Sequence, residues 1–391
     1  MRHFAHLSGG DRKRLFAREP EVVGPDDPRE LRAVALGATL YSPGDRPTLA
    51  ADIAKRAAGG VLSHVLCLED AVADDQVQAA EANLVAQLQG YADGGGGDSQ
   101  LFVRVRVPDQ IPDLLTRLGS AAGVLTGFVL PKFTAPAGRK YFDALDAAGT
   151  ELLVMPVIES PEVVYRESRT EVLRGIAHLL AERREQVLAV RIGATDLCAV
   201  LGLRRDRELS IYEIQPVASV ISDIVTMLGR ADGTGFVITG PVWEYFSAHQ
   251  RLFKPQLRTT PFAEHEVLPL RSDLLAQDLD GLIREIVLDK ANGMIGKTVI
   301  HPSHVHAVHT LLAVTAEEYA DASDVLGEDA VHGGVRRSQY GNKMNEVKPH
   351  RAWAQRTMMR SQVFGVTRAG VGMVDLLDAG APGSTPAARR R

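Results

Sequence analysis

Eight short, nearly continuous apolar runs recur along the chain, at residues 33–41, 64–68, 101–107, 127–130, 152–158, 187–192, 235–239 and 293–300. Between them lie longer stretches with a helical apolar face, at 48–58, 75–89, 110–118, 138–148, 163–181, 214–228 and 271–290. Unbroken rather than alternating hydrophobicity is what strands covered on both faces show. Its regular exchange with a helical period is the signature of parallel α/β architecture. Eight such units are the number that closes a (β/α)₈ TIM barrel, with a doubly wound open sheet as the alternative. The strand rhythm stops near residue 310, and helical patterns at 316–325 and 352–363 flank a polar segment at 333–350. The expected organisation is therefore a leader segment (1–32), a barrel (33–310), a C-terminal helical extension (311–378) and a disordered tail (379–391).

Composition narrows the function classes. Basic residues number 44 against 49 acidic ones, a formal net charge of -5, so no broad cationic field gathers nucleic acid or an anionic membrane surface. Only Cys67 and Cys198 are present, too few for a disulfide framework, which fits a reducing cytoplasm. The opening MRHFAHLSGGDRKR has no apolar core of a signal peptide, and no run reaches the roughly 18 apolar residues of a membrane span. A folded enzyme or binding protein is the expected class.

In such a barrel the reacting groups stand at the carboxyl ends of the strands, so the polar residues that end each apolar run are the candidates. They are SPGDRP at 42–47, Glu69-Asp70, Arg104 and Arg106, Pro131-Lys132, Glu159, Asp196, and His301-Pro302. Glu159 and Asp196 close adjacent strands. Two carboxylates sharing one mouth repel unless a cation or proton intervenes, and an oxygen-only pair completed by water and substrate is the pattern of Mg²⁺. Capping the helix that starts at Leu197 is the alternative role for Asp196. Arg104 and Arg106, two apart, share a strand face on which guanidinium groups would hold a carboxylate or a developing enolate oxygen. Pairing with Glu69 or Asp70 is the structural alternative. Lys132 could form a Schiff base, although a metal site would make that redundant.

Taken in order, SPGDRP (42–47), LEDAV (68–72), VRV (103–105), LPK (130–132), VIES (157–160), GATDL (193–197) and GKTVIHP (296–302) resemble the HpcH/HpaI aldolase and citrate lyase β-subunit family. Members of that family are Mg²⁺-dependent carbon-carbon bond lyases on a barrel. The resemblance implies that Glu159 and Asp196 ligate the metal, that Arg104 contacts the substrate carbonyl or enolate, and that Glu69 and Asp70 support the metal's waters. It places Gly44 and Arg46 at the substrate entrance; Arg106 and Lys132 are expected as further substrate contacts from their own strand-end positions. It also implies a homo-oligomer, trimeric or hexameric, and admits a coenzyme A thioester as substrate. Two positions depart from the family pattern: Cys67 where relatives carry Asp, and Arg106 where they carry Asn. The segment GGVRRSQYGNKMNEVKPHRAWA (333–354) is similar to a subgroup associated with tellurite-resistance and stress gene clusters.

Three features point elsewhere and are set aside. Gly296-Lys297-Thr298 lacks the P-loop glycine five residues earlier, where Ala291 stands. His301, His304, His306 and His309 read as the solvent-facing side of a helix opened by Pro302-Ser303 rather than a zinc cluster. Tyr340, Asn342, Lys343, Asn345 and Lys348 lie on a tethered polar segment that can fold across a barrel mouth, its own or a neighbour's, as a lid, with an ordinary solvated loop as the alternative. The expected activity is Mg²⁺-dependent cleavage of a carbon-carbon bond in a 2-oxo acid or 3-hydroxyacyl substrate. The alternatives are a non-catalytic metabolite-binding barrel in a stress-response assembly, and phosphoenolpyruvate-type chemistry on the same scaffold.

Overall fold

The computed structural model describes residues 1–246, 279–327 and 334–380. Eight parallel strands close into a barrel in chain order: β1 (Ala38–Pro43), β2 (Ser63–Cys67), β3 (Gln100–Arg104), β4 (Gly127–Leu130), β5 (Leu153–Ile158), β6 (Val190–Ile192), β7 (Ile238–Trp243) and β8 (Lys297–Val299), with β8 paired back to β1. A helix follows every strand, from Leu49–Ala58 after β1 to Ser303–Leu312 after β8. The (β/α)₈ expectation therefore holds. Strand faces that look outward pack on the helices through Leu66, Val103, Phe128 and Ile158. Inward faces fill the barrel with Val65, Phe102, Val129, Met155 and Val157, so the interior is a packed core.

Strand limits differ from the apolar runs where the backbone turns. Residues Arg29–Val34 form a helix, and Gly37, at φ +51°, bends the chain into β1. Hydrophobicity marked that helix and β1 as one run because both are buried. The third run likewise stops early: β3 ends at Arg104, so Arg106 lies beyond the strand and shares no strand face with Arg104. The first eight residues of the helix expected at 271–290 fall outside the described residues, and the remainder forms Leu279–Ala291.

The amino end of the barrel is plugged by the first residues of the chain together with residues 363–377. Phe4, Leu15 and Phe16 are fully or almost fully buried there, and Phe16–Arg18 pairs antiparallel with Val366–Thr367. The helix Ser303–Leu312 is sandwiched beneath this plug, which overturns the solvent-facing reading of its histidines. His304 and His309 are buried, the His309 ring meets His3 edge-on at 4.4 Å, and its Nε2 accepts the Ala38 N–H at 3.2 Å. His306 contacts the Leu376 carbonyl at 2.8 Å. Packing partners distant in sequence, not the helix's own period, decided these positions.

The C-terminal helices Ala316–Leu326 and Val347–Phe364 pack on each other beside a small hairpin, Val335–Arg337 with Met344–Glu346. Buried Asp321 ties the hairpin down, accepting from Ser338 Oγ at 2.6 Å and Asn345 Nδ2 at 2.8 Å and pairing with Lys343 at 2.8 Å. Arg356 donates to the Gly229 carbonyl at 2.9 Å, in the connection that feeds β7, so the extension sits at the amino end of the strands. It does not cover the mouth of its own barrel, which corrects that half of the lid expectation. Residues 381–391 of the expected tail lie outside the described residues. No helix of the described residues is long and apolar enough to cross a membrane.

Candidate active site

At the carboxyl end, a cavity of about 450 Å³ opens among Tyr41, Asp70, Arg104, Glu159, Arg191, Asp196, Glu244 and Thr298. Glu159 and Asp70 reach it from just past the ends of their strands, Arg104 from the last residue of β3, Asp196 from the helix after β6, and Tyr41 and Arg191 from within β1 and β6. Glu159 is the first residue past β5, only 2% exposed, and β5 pairs with β6 so that the following residue opposite it is Gly193. That glycine has a steric reason: a Cβ there would stand 1.9 Å from Glu159 Oε2. Bare backbone at Gly193 lets the carboxylate lie flat against the start of the helix Ala194–Val200. Asp196 is in the first turn of that helix rather than preceding it. The capping role at Leu197 therefore does not apply, and its carboxyl comes within hydrogen-bond reach of Glu159.

Arg104 is the hub. Its Nη2 lies 2.8 Å from Glu69 Oε2, 3.1 Å from Asp70 Oδ2 and 3.0 Å from Glu159 Oε1, and the side chain is largely buried. Lys132 adds the second cation, its Nζ against Glu69 Oε1 and 3.4 Å from Asp70 Oδ1. Its backbone N–H donates to Glu159 Oε1 at 2.9 Å. The φ of +46° at Lys132 is uncommon for a residue with a side chain, and it accompanies this double contact, backbone to one carboxylate and ammonium to another. Arg104 thus makes the structural pairing with Glu69 and Asp70, and it also faces the cavity.

Glu69, Asp70, Glu159 and Asp196 gather around Arg104 and Lys132, and with Glu244 and Arg191 on the same cavity wall the carboxylates outnumber the cations five to three. Burial, opposed by Arg104 and reinforced by Asp196, pushes the Glu159 carboxyl up to about 7. Burial and then the charge of Asp70 raise Asp196. Burial raises Glu69 as well, whereas Asp70, despite its own burial, is held below the usual range by Glu69, Arg104 and Lys132. Carboxylates forced together in this way bind protons or a cation. Among the described residues no three His, Cys, Asp or Glu side chains form a self-sufficient metal cluster. Glu159 and Asp196 would hold a hard divalent ion as two protein ligands, leaving its other positions to water and substrate, as Mg²⁺ prefers.

The remaining expected substrate contacts are placed differently. Gly44 packs on Leu68 and the Cys67 carbonyl, and Arg46 turns to Asp52; neither lines the cavity. Arg106 points sideways to Asp74 and to the carbonyls of Leu68, Glu69 and Val72. With Lys132, Lys140 and Tyr141 it lines an adjoining cavity of about 420 Å³. Conversely, Tyr41, Arg191 and Thr298 line the mouth without having been singled out in the sequence. Arg191 had a readable signal, a charged residue inside the apolar run AVRIG, since a buried polar group is the informative exception.

Comparison with known proteins follows from this geometry. Residues 30–366 match the family model described as C-C bond lyase of the TIM-barrel fold. A stretch of 170 residues is 30% identical to L-malyl-CoA/β-methylmalyl-CoA lyase of Cereibacter sphaeroides, covering 42% of this chain and 50% of that protein. The chain thus spans about half the length of the curated relatives it matches. Protein CitE of Mycobacterium tuberculosis, solved in complex with magnesium, acetoacetate and coenzyme A, superposes with a TM-score of 0.52 at 22% identity over 84% of this chain and 99% of that one. This last likeness concerns the fold.

Proposed function

The chain belongs to the C-C bond lyase family of the TIM-barrel fold, and from that premise we propose that it cleaves a carbon-carbon bond in a 2-oxo acid or 3-hydroxyacyl substrate, with Mg²⁺ at Glu159 and Asp196. The observation that carries this reading is the convergence of those two carboxylates in a mouth whose negative charge exceeds what Arg104 and Lys132 offset. The solved complex with magnesium, acetoacetate and coenzyme A, and the malyl-CoA lyase relative, support the same class of ligand.

When bound, the ion would supply a Lewis acid for the substrate's carbonyl and carboxylate oxygens. Arg104 stands beside Glu159, so its guanidinium offsets the charge that develops on the carbonyl oxygen as the bond breaks to leave an enolate. Held by three carboxylates, it is already oriented before substrate arrives. Asp70 faces the cavity and is half exposed, whereas Glu69 is enclosed by Arg104 and Lys132. Asp70 is therefore the carboxylate of the pair placed to exchange a proton with a bound substrate, and its lowered pKa keeps it in the basic form. The neighbouring cavity with Arg106, Lys132 and Lys140 gives the anionic arm of a thioester a cationic groove.

Cleavage assays over 2-oxo acids and 3-hydroxyacyl thioesters, with and without Mg²⁺, test this directly. The expected result is turnover that requires Mg²⁺ and falls by about 100- to 1,000-fold in Glu159→Ala, the loss typical of removing one preorganised electrostatic partner. Intact ligand affinity with no turnover on any substrate would instead favour a metabolite-binding barrel.

A further inference from the structure

Five arginines are buried among the described residues: Arg104, Arg169, Arg191, Arg205 and Arg360. Four of them have carboxylate partners: Arg104 pairs with Glu69, Asp70 and Glu159, Arg169 with Asp223, Arg205 with Glu244 and Glu285, and Arg360 with Glu318. Arg191 is different. It is 1% exposed, and its contacts among the described residues are the Thr298 hydroxyl, the Met155 sulfur at 3.8 Å and the Tyr41 ring, whose centroid lies 5.4 Å from the guanidinium carbon. Its Nε, like those of Arg104 and Arg205, has no hydrogen-bond partner among the described residues, so the missing carboxylate is what sets Arg191 apart.

An uncompensated buried cation is destabilising, because the solvation it has lost is not replaced. Here the cation lines the same cavity as Glu159 and Asp196. In the β5–β6 register Arg191 lies opposite Val157, two residues below Glu159, which is about 7 Å along the strand. The cavity therefore has a metal-chelating rim and a cationic floor one layer deeper. A guanidinium matches the planar, two-oxygen geometry of a carboxylate, and the Thr298 and Tyr41 side chains stand beside it. We propose that Arg191 is a specificity-determining residue that receives a second carboxylate of the substrate, so that the physiological substrate is a short dicarboxylate with one acid group at the rim and the other at the floor. This rests on the Mg²⁺-lyase reading for the rim half only.

Oxaloacetate and pyruvate share the 2-oxo acid head and differ by one carboxylate, so their affinities for the full chain, measured by calorimetry with Mg²⁺ and with EDTA, isolate the floor. Wild type is expected to hold oxaloacetate at least about tenfold more tightly than pyruvate. In Arg191→Met the ratio should collapse through loss of oxaloacetate affinity, and the thermal midpoint should rise, which removal of a structural arginine would not produce. Arg191→Lys, which keeps the charge without the fork, should retain part of the ratio and serves if the methionine variant does not fold. Equal affinities in wild type, or an unchanged ratio in both variants, overturn the proposal while leaving the Mg²⁺ reading intact. A ratio that follows Arg191 but is indifferent to EDTA supports the floor and removes the rim metal. Failure of either acid to bind under both conditions overturns both.

Discussion

The barrel holds two buried charge clusters built from the same residue types, and they are arranged to opposite ends. On the flank, Lys297 lies 3.0 Å from Glu285 and 2.7 Å from Asp289, while Arg205 lies 2.7 Å from Glu285. The Tyr212 hydroxyl, the Ile211 N–H and the Val242 carbonyl take up further hydrogen bonds at 2.6 to 2.8 Å. Two cations meet two enclosed carboxylates; Lys297, Glu285 and Asp289 line neither cavity, and only the outer edge of the network, where Arg205 lies 3.3 Å from Glu244, reaches the mouth. In the mouth, five carboxylates stand against three cations around open space, and one of those cations, Arg191, has no carboxylate partner among the described residues. A closed, balanced cluster holds the helix Leu279–Ala291 to β8. An open, imbalanced one is a site waiting for a counter-charge.

The sharpest way to break this contrast is to unbalance the flank. Lys297→Met leaves Glu285 and Asp289 buried without their shared cation, and unfolding in urea should show a loss of about 3–5 kcal/mol. Magnesium dependence of any residual activity should be unchanged. A variant of native stability would mean that the flank tolerates imbalance as the mouth does, and the distinction would fall. Lys297 belongs to the Gly-Lys-Thr that imitates a phosphate loop, so the same experiment assigns that lysine to the fold.

Gly193→Ala attacks the mouth without touching a charge. Its new Cβ would press within 1.9 Å of Glu159 Oε2, and the carboxylate must move because β5 and β6 are paired on either side. The expected outcome is a loss of about 10- to 100-fold in Mg²⁺ affinity, the range found when support for a metal ligand is disturbed. A magnesium titration of activity or calorimetry reads it. A large drop in thermal midpoint with unaltered magnesium affinity would instead make the Gly193 contact a packing feature.

These two clusters also explain what was legible in the sequence. Glu159, Asp196 and Arg104 could be picked out because each ends an apolar run, where a barrel exposes its strand tips. The arrangement into eight units was equally plain, since it depends on local period alone. Arg191 and Lys297 were not legible as a floor and a flank anchor: their roles depend on which way a strand residue faces, and a continuous apolar run conceals that alternation. The histidines of the helix Ser303–Leu312 were misjudged for a related reason, because the segments that bury them, around His3 and Phe364, lie hundreds of residues away or at its far edge. Gly44 and Arg46 sit in the expected motif, yet Arg46 is drawn to Asp52, a partner that periodicity does not reveal.

The plug gives the smallest and most specific test, since it sets a region stabilised by neutral side chains against the charged mouth. His3 is 1% exposed, and burial, partly opposed by its contact with the Ala35 carbonyl, lowers its pKa to about 4. The unfolded chain carries this histidine near its ordinary value of 6.5, so below that pH the unfolded state binds the extra proton and stability is lost as pH falls from about 6.5 towards 4. A single group of this kind contributes a slope of at most about 1.4 kcal/mol per pH unit, and a loss of about 1.4 kcal/mol by pH 5.5. His3→Gln, with an amide that can still meet the Ala35 carbonyl, should make the acid limb of urea stability shallower by that one proton. Because the plug lies at the end of the barrel opposite Glu159 and Asp196, saturating Mg²⁺ should raise stability without altering the difference in slope between wild type and variant. If the difference disappears when Mg²⁺ is added, the acid sensitivity belongs to the mouth, and the two ends of the barrel are coupled rather than separate.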